Sequence, residues 1–185
     1  GSLSNGVGIL VGDGNVSLGY AAGRASTSAG SNVFVGGWAG TANTTGGGSI
    51  AIGYEALMTE DDHGGSTAVG YQALRLQNTG AANKNVAVGY QAGLAVTTGA
   101  QNTLVGALAG DAIIGADNNV AVGYNSLSAT TVGADNIAIG KDALETNVNG
   151  SASIAIGSLA LEDQAPAGTG NVYNVAIGHW AGKQI

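Results

Sequence analysis

The residue types that carry catalysis and metal binding are sparse in this chain of 185 residues, which has two histidines and no cysteine. His179 lies in the last copy of a sequence repeat, where a packing role is expected. His63 directly follows an acidic run at 60–62. Carboxylates can hold a hard cation, so Asp61, Asp62 and His63 are candidate metal ligands. A solvated acidic loop explains the same residues, and the prediction is no metal site.

Patterns for cofactor binding and catalysis are missing. The stretch GHWAGKQ at 178–184 has the wrong spacing for a phosphate loop and ends in Gln where Ser or Thr would bind magnesium. The glycines at positions 6 and 8 are not followed by the helix of a dinucleotide site. No repeated pair of carboxylates nominates a general acid and base. We therefore predict a protein that is not an enzyme and binds no cofactor.

The composition excludes several classes of partner. Charged residues make up only 9% of the chain and hydrophobic residues 44%, which favours an ordered core over disorder. The net charge is −7 and the basic residues do not cluster, so nucleic acid is not an expected partner. No apolar run approaches the roughly 18 residues of a membrane span, and membrane insertion is not expected.

An internal repeat organises the sequence. One glycine of the repeat, the anchor glycine, recurs at 19, 36, 53, 70, 89, 106, 123, 140, 157 and 178. This spacing, mostly 17 residues, predicts an all-β, parallel β-solenoid of about ten coils. Residues 15–185 form a single predicted repeat domain. Residues 1–14 read as an N-terminal cap or truncated coil, in which Gly1 and Ser2 are interpreted as a cloning remnant.

Each repeat predicts a short strand that ends at its anchor glycine. In the copy at 85–93, Val86 and Val88 flank Ala87, and the other copies keep this alternation. We expect the β-branched side chains to point into the roll and the alanine column to pack against a neighbouring chain. Two turn signals per coil predict two strands per coil, and the Asn or Ser that begins each strand predicts a corner bond or a ladder between coils.

The residue after the anchor glycine varies with the middle residue of the strand. It is small where the strand carries Phe34 or Leu104, and it is often Tyr where the strand carries Ala. The pattern indicates a shared volume at a subunit interface, and the alternative is an exposed aromatic ladder that stacks on sugar rings. The interface or ligand-face candidates are Tyr20, Phe34, Trp38, Tyr54, Tyr71, Tyr90, Leu104 and Tyr124.

The repeated segments include NVAVGYQAG, SIAIGYEAL, STAVGYQAL, NIAIGKDAL and SIAIGSLAL. They resemble the head-domain repeats of trimeric autotransporter adhesins, and more closely the GYQAG and GYQAL repeats of bacteriophage tail fibres. The resemblance covers about residues 15–182. It implies a left-handed parallel β-roll that forms a homotrimer, with Val86 and Val88 inside, Ala87 toward partner chains and Gly89 turning the chain. The 17-residue period and the Tyr after the glycine depart from the adhesin heads.

These observations predict a structural and adhesive role without catalysis. The first hypothesis is a stiff trimeric shaft or receptor-binding region of a phage tail fibre, located on the virion or extracellularly, with a host-surface glycan or protein as receptor. The alternatives are a carbohydrate-binding module that uses the Tyr and Trp ladder, and the head domain of a bacterial surface adhesin.

Overall fold

The computed structural model describes residues 7–8, 14–78, 80, 83–164 and 170–183. Within these ranges the chain contains thirteen short strands and no helix. The strands are β1 Val7–Gly8, β2 Val16–Leu18, β3 Val33–Val35, β4 Ile50–Ile52, β5 Thr67–Val69, β6 Val86–Val88, β7 Thr103–Val105, β8 Val120–Val122, β9 Ile137–Ile139, β10 Gly150–Ser151, β11 Ile154–Ile156, β12 Gly170–Asn171 and β13 Val175–Ile177.

The three-residue strands stack in sequence order into one sheet, and β1 pairs antiparallel with β2 at its first edge. All the other pairs in this sheet are parallel and keep the register of the repeat, so that Ala87 lies opposite Leu104, which lies opposite Ala121. The chain is a parallel β-solenoid of about nine turns, as the repeat predicts. Most of the predicted cap or truncated coil at 1–14 lies outside the described residues, as do parts of the two coils that are longer than 17 residues, at 70–89 and 157–178.

The prediction of two strands per coil is wrong for most of the solenoid. A second sheet exists in the described residues only as the pair β10 and β12. The second and fourth residues after each anchor glycine adopt left-handed backbone geometry, as Gln91 and Gly93 do with φ of 53° and 61°. This geometry breaks an extended segment. Coils still hydrogen-bond there, since the Gln91 amide donates to the Tyr71 carbonyl at 2.8 Å.

The assignment of inward and outward residues is also wrong, and the structure reverses it. Ala87 has no exposed surface, whereas Val86 and Val88 on either side of it are each 37% exposed. The middle residue of every three-residue strand is buried, and the residues on either side of it are exposed or half-buried. The interior of the roll is narrow, so most strands carry Ala at the buried position, and the larger side chains on either side lie outside.

The core balances its volume between the middle of each strand and the fourth residue after the anchor glycine. Where the strand carries Ala, this fourth residue is often a fully buried Leu, as with Ala138 and Leu144. Phe34 is instead paired with Gly40, where an added Cβ would lie 2.5 Å from the Phe34 ring. The sequence interpretation was therefore right that a large residue in the strand is balanced by a small one elsewhere in the coil, but the small partner of Phe34 is Gly40 and not Gly37.

The anchor glycine has two reasons to be glycine. At Gly89 the φ angle is 142°, a region that side chains rarely adopt. A Cβ there would also lie 2.4 Å from the carbonyl oxygen of Gly106 in the next coil. The predicted turn at this residue is confirmed, and close stacking of the coils adds a steric requirement that sequence reasoning did not include.

The other half of the interior is polar. An Asn or Ser directly precedes each three-residue strand. Before β7, the side-chain oxygen of Asn102 accepts a hydrogen bond from the backbone N–H of Asn119 at 2.9 Å, and its side-chain amide donates to the carbonyl of Ala116 at 2.8 Å. The backbone N–H of Asn102 donates to the side-chain oxygen of Asn85 at 2.8 Å. This asparagine ladder confirms the predicted bonding between coils. Its members in the central and flanking coils are Asn15, Asn32, Asn85, Asn102, Asn119 and Asn136.

Candidate functional site

The outward side of the main sheet is a continuous apolar surface, which we call the outer face. It consists of the first and third residues of each three-residue strand, all of them Val, Ile, Leu or Thr and none of them charged. None of these side chains is buried, and exposure reaches 53% at Val16 and 69% at Ile177. The face comprises Val16, Leu18, Val33, Val35, Ile50, Ile52, Thr67, Val69, Val86, Val88, Thr103, Val105, Val120, Val122, Ile137, Ile139, Ile154, Ile156, Val175 and Ile177.

Two different borders enclose the outer face. On one side lie the exposed residues that follow the anchor glycines, and most of them are tyrosines. On the other side lie exposed polar residues that precede the asparagine ladder, including Lys84, Gln101, Asn118 and Asp135. An apolar centre with a polar margin is the usual anatomy of a protein interface. Isolated apolar residues are common on surfaces, but a continuous stripe of this length is not.

Three of the predicted ligand-face tyrosines form a stacked column. The ring centroids of Tyr54 and Tyr71 are 5.5 Å apart with an interplanar angle of 12°, and those of Tyr71 and Tyr90 are 5.3 Å apart at 7°. Because the rings cover one another, the column presents ring edges and hydroxyl groups to solvent. A sugar that stacks on an aromatic side chain needs a free ring face, which the middle ring of this column does not offer.

The remaining predicted interface residues divide into exposed and buried groups. Tyr20 packs edge-on against the half-buried Trp38 with ring centroids 5.1 Å apart, and Tyr124 is 52% exposed. Phe34 and Leu104 have no exposed surface. The prediction that Phe34 and Leu104 lie at an interface or ligand face is therefore wrong, because both side chains fill the interior of the roll and are unable to contact another molecule.

A polar row runs beside the tyrosine column. Glu55 accepts hydrogen bonds from Gln72 at 2.8 Å and Arg75 at 2.6 Å, and Gln72 accepts one from Gln91 at 2.8 Å. Burial acts to raise the pKa of Glu55, but these hydrogen bonds outweigh it and lower that pKa. A hydrogen bond with Glu55 raises the pKa of the Tyr54 hydroxyl. The row therefore fixes side chains of three successive coils beside the column.

The acidic stretch that the sequence singled out is only partly a solvated loop. Asp62 is exposed and its carboxylate contacts the imidazole ring of His63, whereas Glu60 is 1% exposed and points into the polar half of the interior. Donor atoms of Glu60, Asp61 and His63 lie within 4.8 Å of one another. The sequence placed Glu60 in the acidic loop whose carboxylates could hold a cation, but it did not predict that Glu60 is buried. The signal was its position in the repeat, seven residues after the anchor glycine, where Asn43 and Gln77 are also buried.

The second histidine does not join this group. His179 stacks on Trp180 with ring centroids 4.8 Å apart, and its Nδ1 lies 3.1 Å from the carbonyl oxygen of Ser158. Both aromatic side chains are exposed in the last described coil. These contacts are packing interactions of that coil, and no acidic side chain is paired with His179 in the described structure.

The fold defines a class, the parallel β-solenoids, and the architecture is consistent with a β-roll. Comparisons with protein-family models, curated proteins and solved structures found no match to the chain. Among the described residues, no helix has the length and apolar character that a membrane crossing requires.

Proposed function

We propose that the chain is a structural and adhesive fibre segment without catalytic activity, and that three copies associate through their outer faces. The observation that carries the proposal is the uncharged, uninterrupted stripe of Val, Ile, Leu and Thr side chains along the sheet. In a single chain these side chains remain exposed to water at the values given above. Covering them between chains removes that apolar surface and stabilises the assembly by about 25 cal/mol for each Å² buried.

The shape of the outer face suits a second copy of the same chain. The parallel strands keep one register over successive coils, so the face repeats at the period of the solenoid. Another copy has the same period, so in parallel chains each coil would contact the coil at the same height in its neighbour. This replaces the sequence interpretation, in which alanines met between chains, because the alanines fill the interior.

Two parts of the proposal rest on the resemblance of the repeats: the number of chains, three, and the place of the chain in a phage tail fibre. A stiff rod of stacked coils fits a shaft that spaces or presents a receptor-binding tip, on the virion or otherwise extracellularly. A bacterial surface adhesin head would use the same architecture. The receptor in either setting would be a host-surface glycan or protein.

Light scattering coupled to size exclusion tests the assembly directly. We expect the wild-type chain to elute with the mass of three chains at micromolar concentration. The double variant Val88→Glu and Ile139→Glu places two charges on the outer face and should elute as one chain with an unchanged far-ultraviolet circular dichroism spectrum. Tyr90→Ser is the matched control on the margin, where another coil carries Ser158 at the same position.

Each other outcome of this experiment has a defined meaning. A wild-type chain that stays monomeric at high micromolar concentration contradicts the proposal. A mass of two chains that the charged variant abolishes would retain the outer face as the interface and reject the trimer. An oligomer that survives both charges would place the interface elsewhere.

The sugar-binding alternative receives less support, because the stacked tyrosine rings cover one another. A glycan array probed with the wild-type chain and with Tyr54→Ala and Tyr90→Ala variants separates it from the fibre proposal. Sugar binding that these variants lose while the oligomer persists would favour a carbohydrate-binding module.

A further inference from the structure

One coil differs from its neighbours at four consecutive positions. Residues 60–63 read Glu, Asp, Asp, His, whereas residues 43–46 of the preceding coil read Asn, Thr, Thr, Gly, and residues 96–99 read Val, Thr, Thr, Gly. The hydroxyl bond between coils at this position is kept, since the Thr44 hydroxyl donates to the Asp61 carbonyl at 2.8 Å just as the Thr97 hydroxyl donates to the Ile114 carbonyl at 3.2 Å. The scaffold therefore does not require the acidic and imidazole side chains.

Glu60 is the unusual member of this stretch. Its side chain is 1% exposed, and one carboxylate oxygen, Oε2, accepts a hydrogen bond from Gln77 at 2.8 Å. The other oxygen, Oε1, is buried without a hydrogen-bond partner. Burial raises the pKa of Glu60, the neighbouring hydrogen-bond donors act in the opposite direction, and no hydrogen bond of good geometry reaches Oε1. A buried carboxylate oxygen without a partner is unfavourable unless something else compensates it.

Two other residues beside this carboxylate, Asp61 and His63, carry side chains of metal-ligating type. Glu60, Asp61 and His63 each bring one donor atom to a region in which all three atoms lie within 4.8 Å of one another. The Asp62 carboxylate lies against Nδ1 of the His63 ring, but no hydrogen bond of good geometry joins them, so this nitrogen is also buried without a partner. Two carboxylates and one imidazole suit a divalent transition ion such as Zn²⁺, because imidazole is a poor ligand for Ca²⁺ and Mg²⁺.

We propose that Glu60, Asp61 and His63 bind one divalent transition-metal ion, with Zn²⁺ as the representative ion, where the polar half of the roll meets its surface. The ion satisfies the buried oxygen of Glu60 and links the interior of the roll to the exposed corner. Water completes the coordination, since the described residues supply three protein ligands. The role is structural, because the site holds a coil edge.

Isothermal titration of the purified chain with ZnCl₂ alone, in a buffer free of chelators, tests the site. We expect one ion per chain and a higher melting temperature with Zn²⁺ present. Glu60→Gln and His63→Asn should each weaken binding by about tenfold or more. Glu60→Gln is expected to fold, because the next coil carries Gln77 at the same buried position. An unchanged circular dichroism spectrum verifies this.

The second histidine supplies the matched control. His179→Asn removes the other imidazole of the chain and should leave the affinity and stoichiometry for Zn²⁺ unchanged. The proposal is overturned if the wild-type chain binds no Zn²⁺ at millimolar concentration, or if Glu60→Gln and His63→Asn bind it as tightly as wild type. Loss of binding in His179→Asn alone would also overturn it, since the ion would then belong to the last coil.

Discussion

The two sides of a single strand in this solenoid obey different rules. On β6, Ala87 faces inward with no exposed surface, while Val86 and Val88 face outward and remain more than one third exposed. In most proteins the larger apolar residues of a strand mark the buried side. Here the inner side accepts only what a narrow roll can hold, and the outer side carries the larger residues.

The contrast shows that residue size does not identify the inside of a thin solenoid. The interior is limited by volume and by hydrogen bonding, since its apolar half is filled by Ala and Leu and its polar half by the asparagine ladder. Within one chain, neither the available volume nor hydrogen bonding restricts the side chains of the outer face. Substitutions that add bulk or remove an amide should therefore matter inside and have little effect outside.

The largest expected effect tests the volume rule inside the roll. Leu144→Gly should reduce the free energy of unfolding by about 2 to 5 kcal/mol, because it leaves a cavity. Ala138→Leu should reduce it by about 1 to 3 kcal/mol through overpacking. The double variant recreates the natural pairing of Leu104 with Gly110 and should lose less than the sum. Chemical denaturation of all four proteins measures the coupling, and additive losses would contradict the volume rule.

Removing one amide from the polar half should have the next largest effect. Asn119→Ala deletes the acceptor of the Asn136 amide at 3.0 Å and the donor to the Gly133 carbonyl at 3.0 Å. Both backbone groups are then buried without a partner, and the expected loss of stability is about 2 to 4 kcal/mol. The adjacent Asn118→Gly removes only an exposed hydrogen bond to Asp135 and should change stability by about 0.5 kcal/mol or less. Equal losses in thermal unfolding would show that the ladder is not special.

A hydroxyl added to either side of β6 compares the two faces directly. Ala87→Ser places an additional polar atom in the apolar interior and should lower the free energy of unfolding by about 1 to 3 kcal/mol. Val88→Thr adds a hydroxyl to the exposed side and should change a single chain by about 0.5 kcal/mol or less. Unfolding is measured at several protein concentrations. A loss in Val88→Thr that grows with concentration would report an outer face covered by another chain.

The smallest expected effect concerns pH. Burial raises the pKa of Asp111, and its Oδ1 is buried without a partner. Since the folded pKa lies above the unfolded value, the stabilisation from this carboxyl is complete below about pH 4 and is lost as the pH rises through the folded pKa. Asp111→Asn should raise the melting temperature by about 2 °C at pH 7 and have little effect near pH 3. A larger gain at low pH than at neutral pH would contradict this sign.

Much of the fold followed from the sequence because the repeat fixes it. The anchor glycines located the strands to the residue, and the Asn that begins each strand indicated the ladder. The direction of the side chains did not follow, because Val86, Ala87 and Val88 are all apolar and hydropathy does not rank them by available space. The number of strands per coil failed for a different reason. Residues such as Gln91 and Leu74 adopt left-handed backbone geometry that interrupts a second strand, and their residue types do not predict this geometry.

The candidate sites were predictable in part. The exposed tyrosines and the group at 61–63 were found from their types, whereas Phe34 and Leu104 were misplaced because they share the position of the alanines. The burial of Glu60 was not predicted, because an acidic run is typical of a solvated loop. Only its alignment with the buried Asn43 and Gln77 would have placed it inside the roll.

The constant register of the coils also governs how this protein can change in size. Each coil offers its successor the same arrangement of backbone donors, acceptors and anchor glycine that it receives from its predecessor. Duplicating or deleting a whole 17-residue unit therefore keeps the strand register at each junction. Shorter insertions are also accepted between strands, since the coils of 19 and 21 residues that precede β6 and β13 leave those strands in register. Such a molecule can lengthen or shorten in discrete steps by recombination within its own gene, without a new core having to evolve.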